Sequence, residues 1–393
     1  CITPDLKIGL AAPTGKAARR LQESLLAGVE TLKPLHSKTL YKIPCNTLHK
    51  WLEAGPHGFK KNTHNPLSLD LLVIDEMSMV DLSLMKSLLD ALPKGTQLVL
   101  VGDADQLSPI DSGAVWHQLQ NKRVRKSSNQ GAIHLNQCYR NQGALASLSR
   151  VLCNEGINSF WEKLYTVPKS ENIKHHHFNT SSIPTPILKR LEKHSNRLKG
   201  FTQILHKKLL SELPLPFEEN LHLTIDEESL MKCLKELIIL CPKKYGPWGV
   251  DNLHKAFLGD LVEKDLSFWP QGTPVMCSEN QPELQLANGD IGVIIGEGKS
   301  CRLIFRVFSE NRKLTTRYIH PARLKRVSPA LAMTIHKAQG SEAEEVILLW
   351  PDNFLRSQKS NEKVNLNKSY EERLLYTAIT RGRKQVNLFL KSV

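Results

Sequence analysis

Two hydrophobic patterns alternate along the chain, and the switches between them mark out its parts. KIGLAAP (7–13) is a short apolar run that turns at Thr14–Gly15 into a segment with Ala18, Leu21 and Leu25 on one helical face. DLLVIDE (70–76) is a continuous apolar run closed by two carboxylates, the pattern of a strand buried on both faces of a parallel sheet. Asp81 is placed to cap a helix with Leu84, Leu88 and Leu92 facing inward, and Pro93–Lys94–Gly95 ends it. QLVLVGD (97–103) predicts a second buried strand, again closed by an acid, and AIHL (132–135) a third. Strand, helix and strand at this spacing predict a parallel α/β sheet, whose ligands sit at the carboxyl ends of its strands.

From 155 to 225 the pattern dissolves into a basic stretch with His175–His176–His177 and Pro184, Pro186, Pro214 and Pro216. An irregular surface with one or two short helices is expected there, and the histidines read as a solvated basic loop. ELIILCP (236–242) restores α/β character, and GPWG (246–249) leads into a short helix. In 270–327, TPVMC, ANGDIGVII, CRLIFRVF and TRYIHPARL are short strands, with Asn288–Gly289 as a hairpin turn. VILLW (346–350) and VNLFL (386–390) then flank a helix near 371–379 and resume a parallel sheet. A small antiparallel β module is thus inserted in a second α/β unit.

Composition narrows the class. The chain has 393 residues, 40% hydrophobic and 23% charged, a globular mixture long enough for two or three domains. No apolar run approaches the ~20 residues of a membrane span, so no membrane partner is expected. Eight cysteines without a CxxC pair argue against a disulfide framework or a zinc ribbon and for a reducing cytosol. The net charge of +14, from 53 basic against 39 acidic residues, points to a polyanionic partner. The chain opens on Cys1 and enters a predicted strand almost at once, as a fragment with an upstream start would.

Asp75–Glu76 at the end of a buried strand suits a nucleotide hydrolase: one carboxylate holds Mg²⁺ through water and its neighbour polarises the attacking water. The alternative is a pair of solvated turn acids. In GDADQLSP (102–109), the Gln106 amide can donate to a γ-phosphate oxygen and accept from the lytic water; a polar loop is the alternative. In CYRN (138–141), Arg140 can neutralise a transferred phosphoryl group and Tyr139 can stack on a base. Arg381 in TAITRGRK (377–384) offers a second guanidinium, whose fork fits phosphate better than lysine does. MTIHKAQGSEAEE (333–345) crowds Thr334, His336, Lys337, Gln339, Ser341 and Glu342 around Gly340, and such groups suit phosphate contacts. APTGKAA (12–18) and NTLHKW (46–51) place a threonine and a basic residue at strand–helix junctions. APTGKAA is not a P-loop of the form G-x-x-x-x-G-K-[ST]: Leu10 stands at the first glycine and Ala17 at the hydroxyl position, and no other segment fits.

Taken in order, these segments resemble the superfamily 1 helicases and, among them, the RecD family, the alpha subunits of bacterial exodeoxyribonuclease V. LAAPTGKAARRLQESL resembles motif Ia, NTLHKWL motif Ib, LLVIDEMSMVDL motif II and LVLVGDADQLSPIDSGAV motif III. CYRN resembles motif IV, AMTIHKAQGSE motif V and LLYTAITRGRK motif VI. The resemblance implies an α/β chain of two RecA-like parallel-sheet domains. The first covers 1–137, with a small hairpin insertion near 52–68; the second covers 138–269 and 328–393, with an SH3-like β insertion at 270–327. It implies ATP between these domains and single-stranded DNA across both. Asp75 would hold Mg²⁺, Glu76 act as base, Gln106 sense the γ-phosphate, and Arg140 and Arg381 act as arginine fingers. Tyr139 would lie against the adenine, with Gly340 and Glu342 also at the nucleotide. Thr14, Lys16, Thr47, His49, Thr334, His336 and Lys337 would line the DNA track. It further implies a 5′→3′ helicase acting on single strands and duplex ends with RecB-like and RecC-like subunits. Such an assembly serves double-strand-break repair and recombination in the cytoplasm, at the nucleoid. A non-catalytic DNA-binding scaffold and a stand-alone helicase of the same family remain the alternatives.

Overall fold

The computed structural model describes residues 6–30, 40, 42–109, 115–120, 124, 131–135, 143–168, 171–211, 224–308, 314–351 and 364–391. The chain divides into two compact units, Cys1–Asn136 and Gln137–Val393. CYRN, with Tyr139 and Arg140, lies outside the described residues.

In the first unit, β1 (Ile8–Ala12) leads into α1 (Gly15–Glu30), and β2 (Cys45–Thr47) into the short α2 (Leu48–Trp51). A small antiparallel hairpin follows, β3 (Ala54–Gly55) with β4 (Gly58–Phe59). Then come β5 (Leu71–Ile74), α3 (Leu82–Ala91), β6 (Gln97–Leu100) and α4 (Val115–Leu119). The strands form one parallel sheet in the order β2-β1-β5-β6. Caps set the helix starts: the Asp81 carboxylate accepts from Leu84 N–H at 2.8 Å, and the Thr47 hydroxyl from Lys50 N–H at 3.2 Å. Leu72, Ile74, Met77, Leu84 and Leu88 form the core with Leu48 and Leu52.

Two expectations for this unit are corrected. β6 is not buried on both faces; it is the sheet edge among the described residues, and Val99 and Val101 are exposed. Residues 131–135 form no strand, and Ile133 and Leu135 stand in solvent, because no described strand pairs with them.

The second unit begins with α5 (Gly143–Glu155), α6 (Ile157–Thr166), β7 (Ile173–Phe178), α7 (Thr185–Ser211) and α8 (Ile225–Leu234). The region expected to be irregular is therefore largely regular. α7 runs 27 residues, and it buries Ile187, Leu191, His194, Leu198, Thr202, Leu205 and Leu209 along one stripe. The histidine run is not a loop: β7 pairs in parallel with the chain's last strand, setting His176 opposite Phe389.

β8 (Leu237–Cys241) is buried throughout and leads through GPWG into α9 (Val250–Leu258). The antiparallel sheet follows, from β9 (Pro274–Cys277), β10 (Ile291–Ile295), β11 (Arg302–Phe308), β12 (Leu314–Ile319) and β13 (Val327–Pro329), in the order β12-β11-β10-β9-β13. Asn288–Gly289 does not close a two-residue hairpin. It sits in a turn just before β10, with Gly289 at φ +89°, and residues 278–290 join β9 to β10. Finally β14 (Met333–Thr334), β15 (Ala343–Trp350), α10 (Val364–Ile379) and β16 (Gly382–Lys391) complete a parallel sheet in the order β14-β8-β15-β16-β7. The antiparallel sheet thus lies in sequence between two strands of one parallel sheet, as the hydrophobic pattern predicts. It packs through Val293, Ile295 and Ile304 on Leu198 and Leu205 of α7 and Leu230 and Met231 of α8.

Candidate functional site

In the first unit the singled-out residues gather on one rim. Parallel pairing aligns the strand exits, with Ala12 opposite Thr47 and Ala11 opposite Ile74. Across the carboxyl edge stand, in order, Thr47 at the end of β2 with His49 beyond it, Thr14 and Lys16 after β1, Asp75–Glu76 after β5, and Asp103–Gln106 after β6. The Thr14 hydroxyl accepts from Ala17 N–H at 3.2 Å, so it caps the first turn of α1. His49 is exposed, its ring centroid 5.8 Å from that of Phe59 on the small hairpin.

The acidic end of this rim is held tightly. Asp75 N–H donates to Ala11 O at 3.0 Å, and the Asp75 carboxylate accepts from Glu76 N–H at 2.8 Å. Glu76 has φ +56° and ψ +43°, a left-handed backbone that costs a non-glycine residue about 1–3 kcal/mol and clusters at functional sites. Met77 N–H donates to Val101 O at 3.0 Å, joining the exits of β5 and β6. Gly102 permits that approach, since a Cβ there would lie 3.0 Å from Met77. The Gln106 side chain is buried; its Nε2 donates to the Asp103 carboxylate at 3.3 Å, while Oε1 has no hydrogen-bond partner among the described residues. A buried amide oxygen left unsatisfied costs about 1–3 kcal/mol, so this oxygen is suited to accept a hydrogen bond from a ligand. Carboxylates at two neighbouring strand exits and an orphaned amide oxygen fit the phosphate end of a magnesium nucleotide, with Asp75 suited to a water-held cation.

In the second unit the residues divide between opposite edges of the sheet. Thr334 lies opposite Cys241 at the carboxyl end of β8, and its hydroxyl accepts from Lys337 N–H at 3.4 Å. The His336 ring stacks on Tyr370 at 6.2 Å, its Nε2 3.3 Å from the tyrosine hydroxyl, and burial holds its pKa below the ordinary value. Residues 335–342 then cross to the amino edge, where Ala343 pairs with Gly382; Gly340, at φ +70°, turns the chain there. At that edge Arg383 donates to the Glu342 carboxylate through Nε and Nη2, both at 2.7 Å. Arg381 is 1% exposed. Its Nε donates to Thr377 O at 3.0 Å, Nη2 to Thr380 Oγ1 at 3.3 Å and Nη1 to Ser341 O at 3.4 Å. The pairing of Arg383 with Glu342 follows from the register of β15 on β16, which no local sequence pattern reports.

His194, Cys233 and Glu236 bring ligand-type atoms within 4.8 Å of one another. Arg197 takes both Glu236 oxygens, and burial lowers the His194 pKa to about 4, so this is a polar cluster in the core. Among the described residues no helix is long and apolar enough to cross a membrane.

Comparison with known proteins shows what the chain is similar to. The AAA domain family matches residues 2–112, and the UvrD-like helicase C-terminal domain matches residues 329–389. The RecBCD enzyme subunit RecD of Mycolicibacterium smegmatis is 31% identical over 404 residues, covering 98% of this chain and 62% of that protein. RecD of Haemophilus influenzae is 29% identical over 429 residues, with the same coverage of 98% and 62%. Among solved structures, a Bacteroides Pif1 bound to ssDNA aligns at 14% identity with a TM-score of 0.44, covering 98% of this chain and 88% of that one. The two family matches, one near each end of the chain, make it similar to helicases of superfamily 1. Among the curated proteins it resembles are RecD subunits, and it spans about 62% of the length of these relatives.

Proposed function

We propose that this chain forms the motor part of an ATP-dependent DNA helicase that moves 5′→3′ on a single strand, as a subunit of a RecBCD-type helicase–nuclease in double-strand-break repair and recombination. The observation that carries this reading is the single rim of the first unit, with hydroxyl and basic residues on one flank and, on the other, Asp75–Glu76 beside the orphaned Gln106 oxygen. A bound magnesium ATP would supply the phosphoanhydride whose cleavage drives movement. Asp75 would hold the cation through water, Glu76 would take the proton of the attacking water, and Gln106 would report whether the terminal phosphate is present. Glu342, Gly340, Tyr139 and Arg140 belong to the nucleotide-binding set. Arg381 neutralises charge on the transferred phosphoryl group, which requires its guanidinium to leave the buried position it holds here. Thr14, Lys16, Thr47, His49, Thr334, His336 and Lys337 contact the strand. The two parallel-sheet units are its RecA-like domains, bounded at 1–137 and at 138–269 with 328–393, and the sheet within 270–327 is an SH3-like insertion. The protein works in the cytoplasm, at the nucleoid, on duplex ends with RecB-like and RecC-like subunits.

The test uses the purified full-length protein and duplexes with a single-stranded tail at the 5′ or the 3′ end. ATP-dependent strand displacement from the 5′-tailed duplex alone, with phosphate release stimulated by single-stranded DNA, is expected. Displacement from the 3′-tailed duplex alone overturns the direction, and absence of DNA-stimulated phosphate release overturns the motor.

A further inference from the structure

The turn after β8 carries exposed chemistry that the nucleotide reading leaves unused. PKKYGPWG (242–249) leaves the sheet at the same edge as Thr334, next to the His336–Lys337 turn. The turn is built rather than loose. Trp248 is buried and its indole N–H donates to Thr180 O at 3.1 Å. Gly246 takes φ +104°, and a Cβ on Gly249 would lie 2.6 Å from Lys244 O, so both positions demand glycine. Asp251 N–H donates to Lys244 O at 3.1 Å.

This scaffold holds Tyr245 outward, 69% exposed. The Lys244 ammonium stands 4.8 Å from its ring centroid and 3.1 Å from its hydroxyl. Beside it is an open depression of about 390 Å³ lined by Gly246, Pro247, Asp251, Asn252 and Lys255, room for a planar base. Asp251, 3.9 Å from Lys244, makes that depression poor for a phosphate and acceptable for base edges. Past the His336–Lys337 turn, Tyr370 is 44% exposed and lies against His336. Lys337 links the two places. Its pKa is held down first by partial burial and then by the Lys244 charge, with Asp251 opposing. Exposed rings set among cations are the pattern of single-strand binding, in which bases stack on aromatics and phosphates meet lysines.

We infer that Tyr245 and Tyr370 are base-stacking positions for a single strand of nucleic acid whose phosphates meet Lys244 and Lys337. The inference rests on the single-strand reading above and adds to it contact with the bases, not the backbone alone. Since every base has a stacking face, the contact tolerates any sequence.

The experiment compares Tyr245→Ala and Tyr245→Phe with wild type in the full-length protein, by fluorescence anisotropy on a labelled oligothymidylate and on an abasic oligomer of equal length. The alanine variant should bind oligothymidylate roughly 5- to 150-fold more weakly, the range that stacking of one base spans. It should bind the abasic oligomer as wild type does, and the phenylalanine variant should match wild type on both. Tyr370→Ala should repeat the alanine pattern. Unchanged oligothymidylate binding, or equal weakening on both oligomers, overturns the stacking role while the single-strand reading stands. A wild-type protein that binds neither oligomer overturns both.

Discussion

The Tyr318 hydroxyl of β12 donates to the Glu227 carboxylate of α8 at 2.7 Å, and this pair joins the inserted sheet to the helices that carry it. The same carboxylate accepts from Thr316 Oγ1 at 2.8 Å and, through its other oxygen, from Thr224 N–H at 2.8 Å, closing the capping box of α8. The residue is buried, so each donor that loses this partner is left unsatisfied. Glu227→Ala is expected to lower stability by about 3–5 kcal/mol, and Tyr318→Phe, which removes one bond and leaves the carboxylate its other donors, by about 1–3 kcal/mol. Urea titration followed by circular dichroism measures both. A Glu227→Ala loss under about 1 kcal/mol, the net worth of a single hydrogen bond, would show that the carboxylate does not hold the two parts together.

Arg381→Ala should cost the full-length protein roughly 10³-fold or more in DNA-stimulated ATP hydrolysis, the scale of an arginine finger, or about 4 kcal/mol of barrier. DNA binding should remain measurable. The guanidinium is buried among Thr377, Thr380 and Ser341, so the variant also leaves a cavity and should melt earlier than wild type. An earlier melt with wild-type hydrolysis would assign Arg381 to packing alone.

Much of this architecture was legible locally. The apolar run of β5 and its two terminal acids, the Asp81 cap and the buried run of β8 each announce themselves within a few residues. The edge position of β6 was not legible, because its apolar pattern matches that of a central strand and only the pairing order distinguishes them. α7 hid for a compositional reason. Its buried stripe from Ile187 to Leu209 follows helical spacing throughout, yet His194 and Thr202 fill two core positions and lysines cover the outer face. The histidine run was read by composition, while its neighbours Ile173 and Phe178 and its pairing with β16 make it a strand. At the site, the motif around Gly340 reads as one cluster in sequence. The register of β14 and β15 instead places Thr334 at one edge and Arg381 at the other, which no local pattern reports.

Gln106→Ala should reduce DNA-stimulated hydrolysis on the order of 10²-fold, as losing one transition-state contact does, with little net effect on stability, because removing an oxygen that has no partner among the described residues offsets loss of the Nε2 bond to Asp103. Gln106→Glu should do worse in both respects, since it buries a second carboxylate within reach of Asp103. Phosphate release and thermal melting on the same samples check the pair. Full activity in Gln106→Ala removes this side chain from the nucleotide site.

Glu371 provides a test by pH. It is 4% exposed, its Oε1 has no hydrogen-bond partner among the described residues, and burial, with Glu372 adding repulsion, lifts its pKa from 4.5 to about 7. Below pH 4.5 the carboxyl is neutral in both the folded and the unfolded chain and costs nothing. As pH rises from 4.5 to 7 the unfolded chain releases the proton and the folded chain retains it, so stability falls; above 7 the penalty is constant. Its full size is about 3 kcal/mol, at 1.36 kcal/mol per pKa unit. Glu371→Gln, which is neutral at every pH, should therefore be more stable than wild type at pH 8 by up to about 3 kcal/mol, with the advantage shrinking as pH falls toward 4.5. Urea midpoints of the two proteins across this range measure the difference directly. A difference that does not change with pH would show that Glu371 ionises alike in the folded and unfolded chains.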